Sequence, residues 1–363
     1  MTEILFEELR HLGLGPALAQ HMALCVEPPG GPYRWMRVTV VHRETLELHD
    51  GRLQVAARCM ARLARELQQR DSALAVGDWV LCHTDPHAQL WIDARLEPLT
   101  QIVRRDADGS RHTIVSNVDT ALLVMGLDLD FNLQRLERYL ALVRGSGVLA
   151  VVLLTKADVA AQAGPDVVRT RLAELRARVG ADVDALAVDA RDAAQARALL
   201  PYLGAGQTVV LLGSSGAGKS TLTNALAGVS LQDTGPVREH DSRGKHTTTS
   251  RSLHCLPSGA CVIDTPGVRS LRPDVDGQTL GALFGDVSAL AGVCRFRDCR
   301  HLDEPDCAVR AALDPDRLRN YHKLLRESRR DSISLLERQR QLADWKARGR
   351  AGRQRLELKR RGA

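Results

Sequence analysis

Aromatic residues are scarce in this chain: four Phe, four Trp and four Tyr make up only 3% of 363 residues. A surface that reads bases by stacking needs aromatic platforms, so Trp79 is assigned to a core and sequence-specific base readout is not expected. No run of 18 or more apolar residues occurs, which argues against a helical membrane span. The first eight residues are acidic and lack the basic-then-apolar pattern of a secretory signal, so a cytoplasmic protein is expected. No internal repeat is visible. What is present is a soluble balance, 44% hydrophobic and 26% charged, with ample material for a core. The length predicts two to three domains.

Five of the eight cysteines (Cys25, Cys59, Cys82, Cys255 and Cys261) are scattered among apolar neighbours and read as small buried hydrophobes. The other three stand close together with a histidine. Charge is also uneven. The net is +6, but residues 326–363 hold 13 Arg and Lys against 5 Asp and Glu, a local +8 that leaves −2 for the rest. A polyanionic partner would meet this tail first.

Along the chain, residues 1 to about 32 look helical and break at Pro28-Pro29-Gly30-Gly31-Pro32. Short β-like runs follow at 37–41, 53–56 and 78–82, separated by turn residues, which suggests a small β-barrel with a helical insertion at 62–70. From about Ser116 the pattern changes. Continuous apolar runs at 121–125 and 148–154 flank a helical stretch at 133–143, and further runs fall at 185–188, 208–212 and 260–263. Buried parallel strands alternating with helices predict a doubly wound α/β domain.

The strand at 208–212 leads into Gly213-Ser214-Ser215-Gly216-Ala217-Gly218-Lys219-Ser220, then Thr221 and a helix. This is G-x-x-x-x-G-K-[ST] in its proper strand–loop–helix setting. The glycines let backbone amides curl round phosphates, and the helix N-terminus adds positive dipole. Lys219 is expected to reach the β- and γ-phosphates, and Ser220 to ligate Mg²⁺.

Two further motifs choose the base. The strand ending at Ile263 delivers Asp264-Thr265-Pro266-Gly267, the form of a GTPase second switch, with Asp264 on Mg²⁺ through water and the Gly267 amide near the γ-phosphate. The strand ending at Leu154 delivers Thr155-Lys156-Ala157-Asp158, which fits [NT]-K-x-D. The Asp158 carboxylate can accept from N1–H and the exocyclic amine of guanine, a donor pair that adenine lacks, while Lys156 lies along the base. All three motifs end strands, where α/β folds bind ligands. The guanine motif precedes the phosphate loop, the reverse of ordinary small GTPases, so the domain reads as circularly permuted.

With these motifs in this order the chain resembles the RsgA (YjeQ) family of bacterial ribosome-assembly GTPases. Val76-Gly77-Asp78-Trp79-Val80 matches that family's barrel signature, and Asn117-Val118-Asp119 the lead into its GTPase domain. Gly244-Lys245-His246-Thr247-Thr248-Thr249 resembles its first switch, and Cys294, Cys299, His301 and Cys307 its zinc site. The resemblance implies an N-terminal extension (1–32), an OB-fold β-barrel (33–112), a circularly permuted GTPase domain (113–279), a zinc-binding domain (280–325) and a basic helical tail (326–363). It also implies a monomer acting on the small ribosomal subunit and its rRNA late in maturation, with turnover stimulated by the subunit. Val188-Asp189-Ala190 stands where the family's guanine-contacting loop has Ser-Ala.

Ras-type GTPases orient the attacking water with a glutamine after the second-switch glycine; here that residue is Val268. His246 is the candidate to replace it, and Thr248 the candidate for the second Mg²⁺ hydroxyl. The three cysteines and His301 supply the four soft or borderline ligands of a closed structural zinc site, with no open position for catalysis. The tail is either a solvated face or an rRNA contact. Two other functions stay open at this point: an RNA-binding scaffold that holds GTP as a structural ligand, and a P-loop ATPase or kinase.

Overall fold

A computed structural model describes residues 4–28, 32–106, 108–180, 182–229, 251–267 and 272–331. The first-switch segment at 244–249, Val268 and the tail beyond Asp331 lie outside the described residues.

Five strands form the barrel: β1 (Arg34–Val41), β2 (Leu46–His49), β3 (Gln54–Cys59), β4 (Trp79–Thr84) and β5 (Leu90–Arg95). They run β1-β2-β3-β5-β4, and β4 pairs back onto β1, so no edge is left open. Only the β3–β5 pair is parallel. Met36, Val38, Leu48, Val80 and Ile92 fill the interior. The helix Ala61–Gln69 closes one end with Leu63 and Leu67, four residues apart on one face. The β1, β3 and β4 expectations are borne out. Strands β2 and β5 went unseen because, although they alternate, they are only four and six residues long, too short for the alternation to stand out from a loop.

A hairpin of β6 (Gln101–Arg105) and β7 (Arg111–Ser116) leads into the second sheet. That sheet holds β8 (Thr120–Gly126), β9 (Leu149–Thr155), β10 (Asp184–Ala187), β11 (Thr208–Gly213), β12 (Ser252–Cys255) and β13 (Cys261–Asp264), in the order β10-β9-β8-β11-β13-β12. All pairs are parallel except β12 with β13. Every residue of β8 and β11 is buried, because helices cover both faces. One face packs Leu123, Val152 and Leu154 against the helices Leu133–Arg144 and Val167–Val179. The other packs Leu122, Val151 and Leu211 against the helix Lys219–Ala227. Val40 of β1 pairs with Ser252 of β12, so barrel and α/β sheet are one continuous sheet.

The two parts meet around Arg37, which is fully buried. Its guanidinium lies 5.3 Å from the Trp79 ring centre and donates to Leu12 O, Thr208 Oγ1 (2.8 Å) and Asn117 O (2.9 Å). The Val76–Val80 and Asn117–Asp119 motifs belong to this joint. Asn117 Nδ2 donates to Gly77 O at 3.0 Å, and Asp119 accepts from Thr208 N at 2.7 Å. Gly77 has φ +95°, and a Cβ there would stand 2.0 Å from Ser116 O, so only glycine fits.

After β13 come the helices Gly277–Leu283, Gly285–Ala291, Ala308–Ala312 and Pro315–Asp331. Phe284, Val309 and Leu324 join the core beneath the helix Leu133–Arg144. There Glu137, fully buried, accepts from Arg178 Nε (2.7 Å) and Arg317 (2.6 Å). Arg317 also pairs with Asp286.

Candidate nucleotide site and metal centre

The phosphate loop follows β11, and the helix Lys219–Ala227 starts directly behind it, with Gly218 at φ 93° as its N-cap. Lys219 is 6% exposed. Its Nζ donates to Gly213 O (3.0 Å) and Ser214 O (2.7 Å), so the side chain lies folded over its own loop. Burial pushes the Lys219 pKa down, while Asp264 and Asp130 oppose that shift. Ser220 Oγ donates to Asp264 Oδ2 at 3.2 Å. The second-switch Asp and the loop hydroxyl therefore stand together, as a shared hard cation requires of its oxygen donors. Gly267 lies against the loop: a Cβ there would be 2.3 Å from Ser215 N.

The segment 155–158 lies beside this loop. Thr155 Oγ1 donates to Ala217 O at 2.6 Å within the buried interior. Lys156 takes a left-handed conformation (φ 59°) that ends β9 and turns the chain into the helix Ala157–Gln162. Its Nζ meets Asp128 Oδ2 at 2.6 Å. Asp158 pairs through Oδ2 with Arg191, while its Oδ1 is buried with no hydrogen-bond partner among the described residues. The segment 188–190 runs alongside, with Val188 N donating to Leu154 O at 2.8 Å. Thus Thr155, Lys156, Asp158, residues 213–221, Asp264 and Gly267 come together at the C-terminal ends of β9, β11 and β13. His246 and Thr248 lie outside the described residues, so their position is not part of this geometry.

Three contacts escaped the sequence reading: Asp128 and Asp130, on the segment after β8, and Arg191. The signal for the first two was available. Asp128 and Asp130 follow a wholly buried parallel strand at its C-terminal end, the edge where polar residues face a ligand.

Cys294, Cys299, His301 and Cys307 gather in the C-terminal part, with one donor atom from each lying within 4.8 Å of the others. Cys294 Sγ is 3.7 Å and Cys307 Sγ 3.5 Å from His301 Nδ1, and the two sulfurs are 4.0 Å apart. A tetrahedron with metal–sulfur bonds of about 2.3 Å has edges of roughly 3.8 Å. The donor set and its spacing fit one zinc ion. The other five cysteines are also free.

Residues 96–273 match the family model described as RsgA GTPase. The protein named "Small ribosomal subunit biogenesis GTPase RsgA" from Xanthomonas oryzae pv. oryzae (strain MAFF 311018) is 51% identical over 257 residues, covering 69% of this chain and 68% of that one. The chain belongs to the RsgA GTPase family. It is a GTPase. The RsgA of Xanthomonas axonopodis pv. citri is 50% identical over 260 residues, 70% of this chain and 69% of its own. Two solved structures share the fold. YjeQ from Thermotoga maritima has 23% identity and a TM-score of 0.57 over 82% of this chain and 99% of its own. YloQ, described as a circularly permuted GTPase, has 24% identity and a TM-score of 0.53 over 85% and 100%. The permuted order matches the chain itself, in which β9 and its motif precede β11 and the phosphate loop. Among the described residues, no helix is long and apolar enough to cross a membrane.

Proposed function

We propose that the chain binds GTP between residues 155–158 and 213–221 and hydrolyses it as a factor in late maturation of the small ribosomal subunit. The observation that carries this reading is the Thr155 Oγ1–Ala217 O hydrogen bond, which ties the guanine motif to the phosphate loop. The backbone amides from Gly213 to Thr221 cradle the phosphates, and Lys219 leaves its carbonyl partners to reach the β- and γ-oxygens. Asp158 reads the guanine edge, exchanging Arg191 for the base donors, and Lys156 lies along the ring. Ser220, Asp264 and Thr248 would hold Mg²⁺, which would neutralise charge on the phosphates. Gly267 senses the γ-phosphate, and His246 orients the attacking water.

Zinc at Cys294, Cys299, His301 and Cys307 is structural, since four protein ligands leave no open position. The subunit and its rRNA are the partners, in keeping with the relatives' name, and they stimulate turnover of a cytoplasmic monomer. The basic tail from 326 onward makes the rRNA contact. The boundaries at 32/33, 112/113, 279/280 and 325/326 belong to the same reading.

The test is phosphate release from GTP and from ATP, each with and without small subunits. GTP-selective release that rises with subunits is expected. Equal use of ATP would overturn the base assignment, and indifference to subunits the ribosomal role.

A further inference from the structure

The phosphate-loop motif leaves its second position unspecified, yet here that position is Ser214, and its hydroxyl is not idle. Ser214 Oγ donates to Asp130 Oδ1 at 2.5 Å. Asp130 is itself held on other sides: its Oδ2 accepts from Gly126 N at 3.1 Å, and it pairs with Arg135. Two residues earlier, Asp128 splits its carboxylate in the same way. Its Oδ1 accepts from Asp130 N at 3.1 Å and its Oδ2 from Lys156 Nζ at 2.6 Å. Leu129 between them is fully exposed, so the two acids face the site side by side and the apolar residue faces out. Capping does not explain Asp130, because Asn132 already caps the helix Leu133–Arg144 by accepting from Arg135 N. The residue that Asp130 grips is also the one whose carbonyl holds Lys219.

We propose that Asp130 is a positioning residue for GTP turnover: through the Ser214 hydroxyl it sets where the phosphate loop stands, and together with Asp128 on Lys156 it fixes the span between the phosphate and base ends of the pocket. This rests on the GTP-binding reading above. The segment 128–130 is a strut made of two short, charge-assisted hydrogen bonds, the strong kind, anchored to the rigid end of β8. GTP must bridge both ends at once, so a slack strut costs affinity and alignment without touching the substrate.

The experiment measures KM and kcat for GTP with the full-length protein and the variants Asp130→Ala, Asp130→Asn, Ser214→Ala and the Asp130→Ala/Ser214→Ala double. Loss of one charge-assisted hydrogen bond predicts roughly a tenfold rise in KM for either alanine variant. The double variant should be no worse than Asp130→Ala alone, because both remove the same contact. Asp130→Asn keeps an Oδ1 acceptor for the Ser214 hydroxyl but turns an amide N–H toward Gly126 N and loses the charge, so its KM should fall between those of the parent and Asp130→Ala. Multiplicative effects in the double, or unchanged KM and kcat in Ser214→Ala, would overturn the strut. Ser214→Ala keeps that second arm informative even if Asp130→Ala fails to fold once Arg135 has lost its partner. Asp158→Asn separates the two readings: unaltered guanine preference there removes the base assignment, whereas additive Asp130 and Ser214 effects remove the strut alone.

Discussion

The two ends of the proposed nucleotide pocket are built from different material. At the phosphate end the groups that face the ligand are mostly backbone, supplied by residues 213–220 and by the start of the helix Lys219–Ala227, with one buried lysine. At the base end they are side chains: Thr155, Lys156 and Asp158, each already engaged by Ala217, Asp128 or Arg191. A backbone cradle is specified by the few residue types that permit its shape, so it leaves a strong mark in sequence. A side-chain cradle depends on neighbours brought in from elsewhere in the chain, and its mark is faint.

This difference sets the order of effects that should follow from substitution. Lys219→Ala removes the side chain that reaches the β- and γ-phosphates, and kcat/KM for GTP should fall by about 10²–10³-fold, as for other electrostatic stabilisers; a loss below tenfold would mean the loop is not the phosphate site. Asp158→Asn should cost about a hundredfold in GTP affinity, from two charge-assisted hydrogen bonds. It should also move preference toward xanthine nucleotides, read by competition binding. Thr155→Val leaves the Ala217 carbonyl without its buried donor, so KM should rise roughly tenfold and Thr155→Ser should restore it. An undisturbed Thr155→Val would show that the two ends do not share a frame. The smallest effect at the pocket should come from stripping zinc. Chelation should lower the melting temperature through the C-terminal helices, yet leave the GTP dissociation constant within about twofold.

The same contrast explains what the sequence disclosed. The phosphate loop, the Asp264–Gly267 turn and the buried strands β8, β9 and β11 were legible because glycine pattern and apolar runs each have one structural meaning. The four zinc ligands were legible from density alone. Strands β2 and β5 and the β6–β7 hairpin were not, since their residues are short, mixed and stabilised by pairing partners far along the chain. Arg191 was invisible for a related reason, and of Asp128 and Asp130 only their place at the end of β8 could be read, not their contacts. Their roles exist only once β8, β9 and the segment after β10 lie side by side, and a lone Asp or Arg on a loop has many possible uses. Arg37 and Glu137 were missed as well, because a charged residue in a strand or helix is ordinarily assigned to the surface.

Arg37 carries the remaining consequence. A guanidinium sealed among backbone carbonyls, the Thr208 hydroxyl and an indole ring has no water to return to unless the whole seam opens, and each hydrogen bond it gives up while still buried costs about 1.5–3 kcal/mol. The barrel and the α/β sheet are therefore welded rather than hinged. Moving one against the other has to break this cluster of contacts and the β1–β12 pairing, not merely bend a linker.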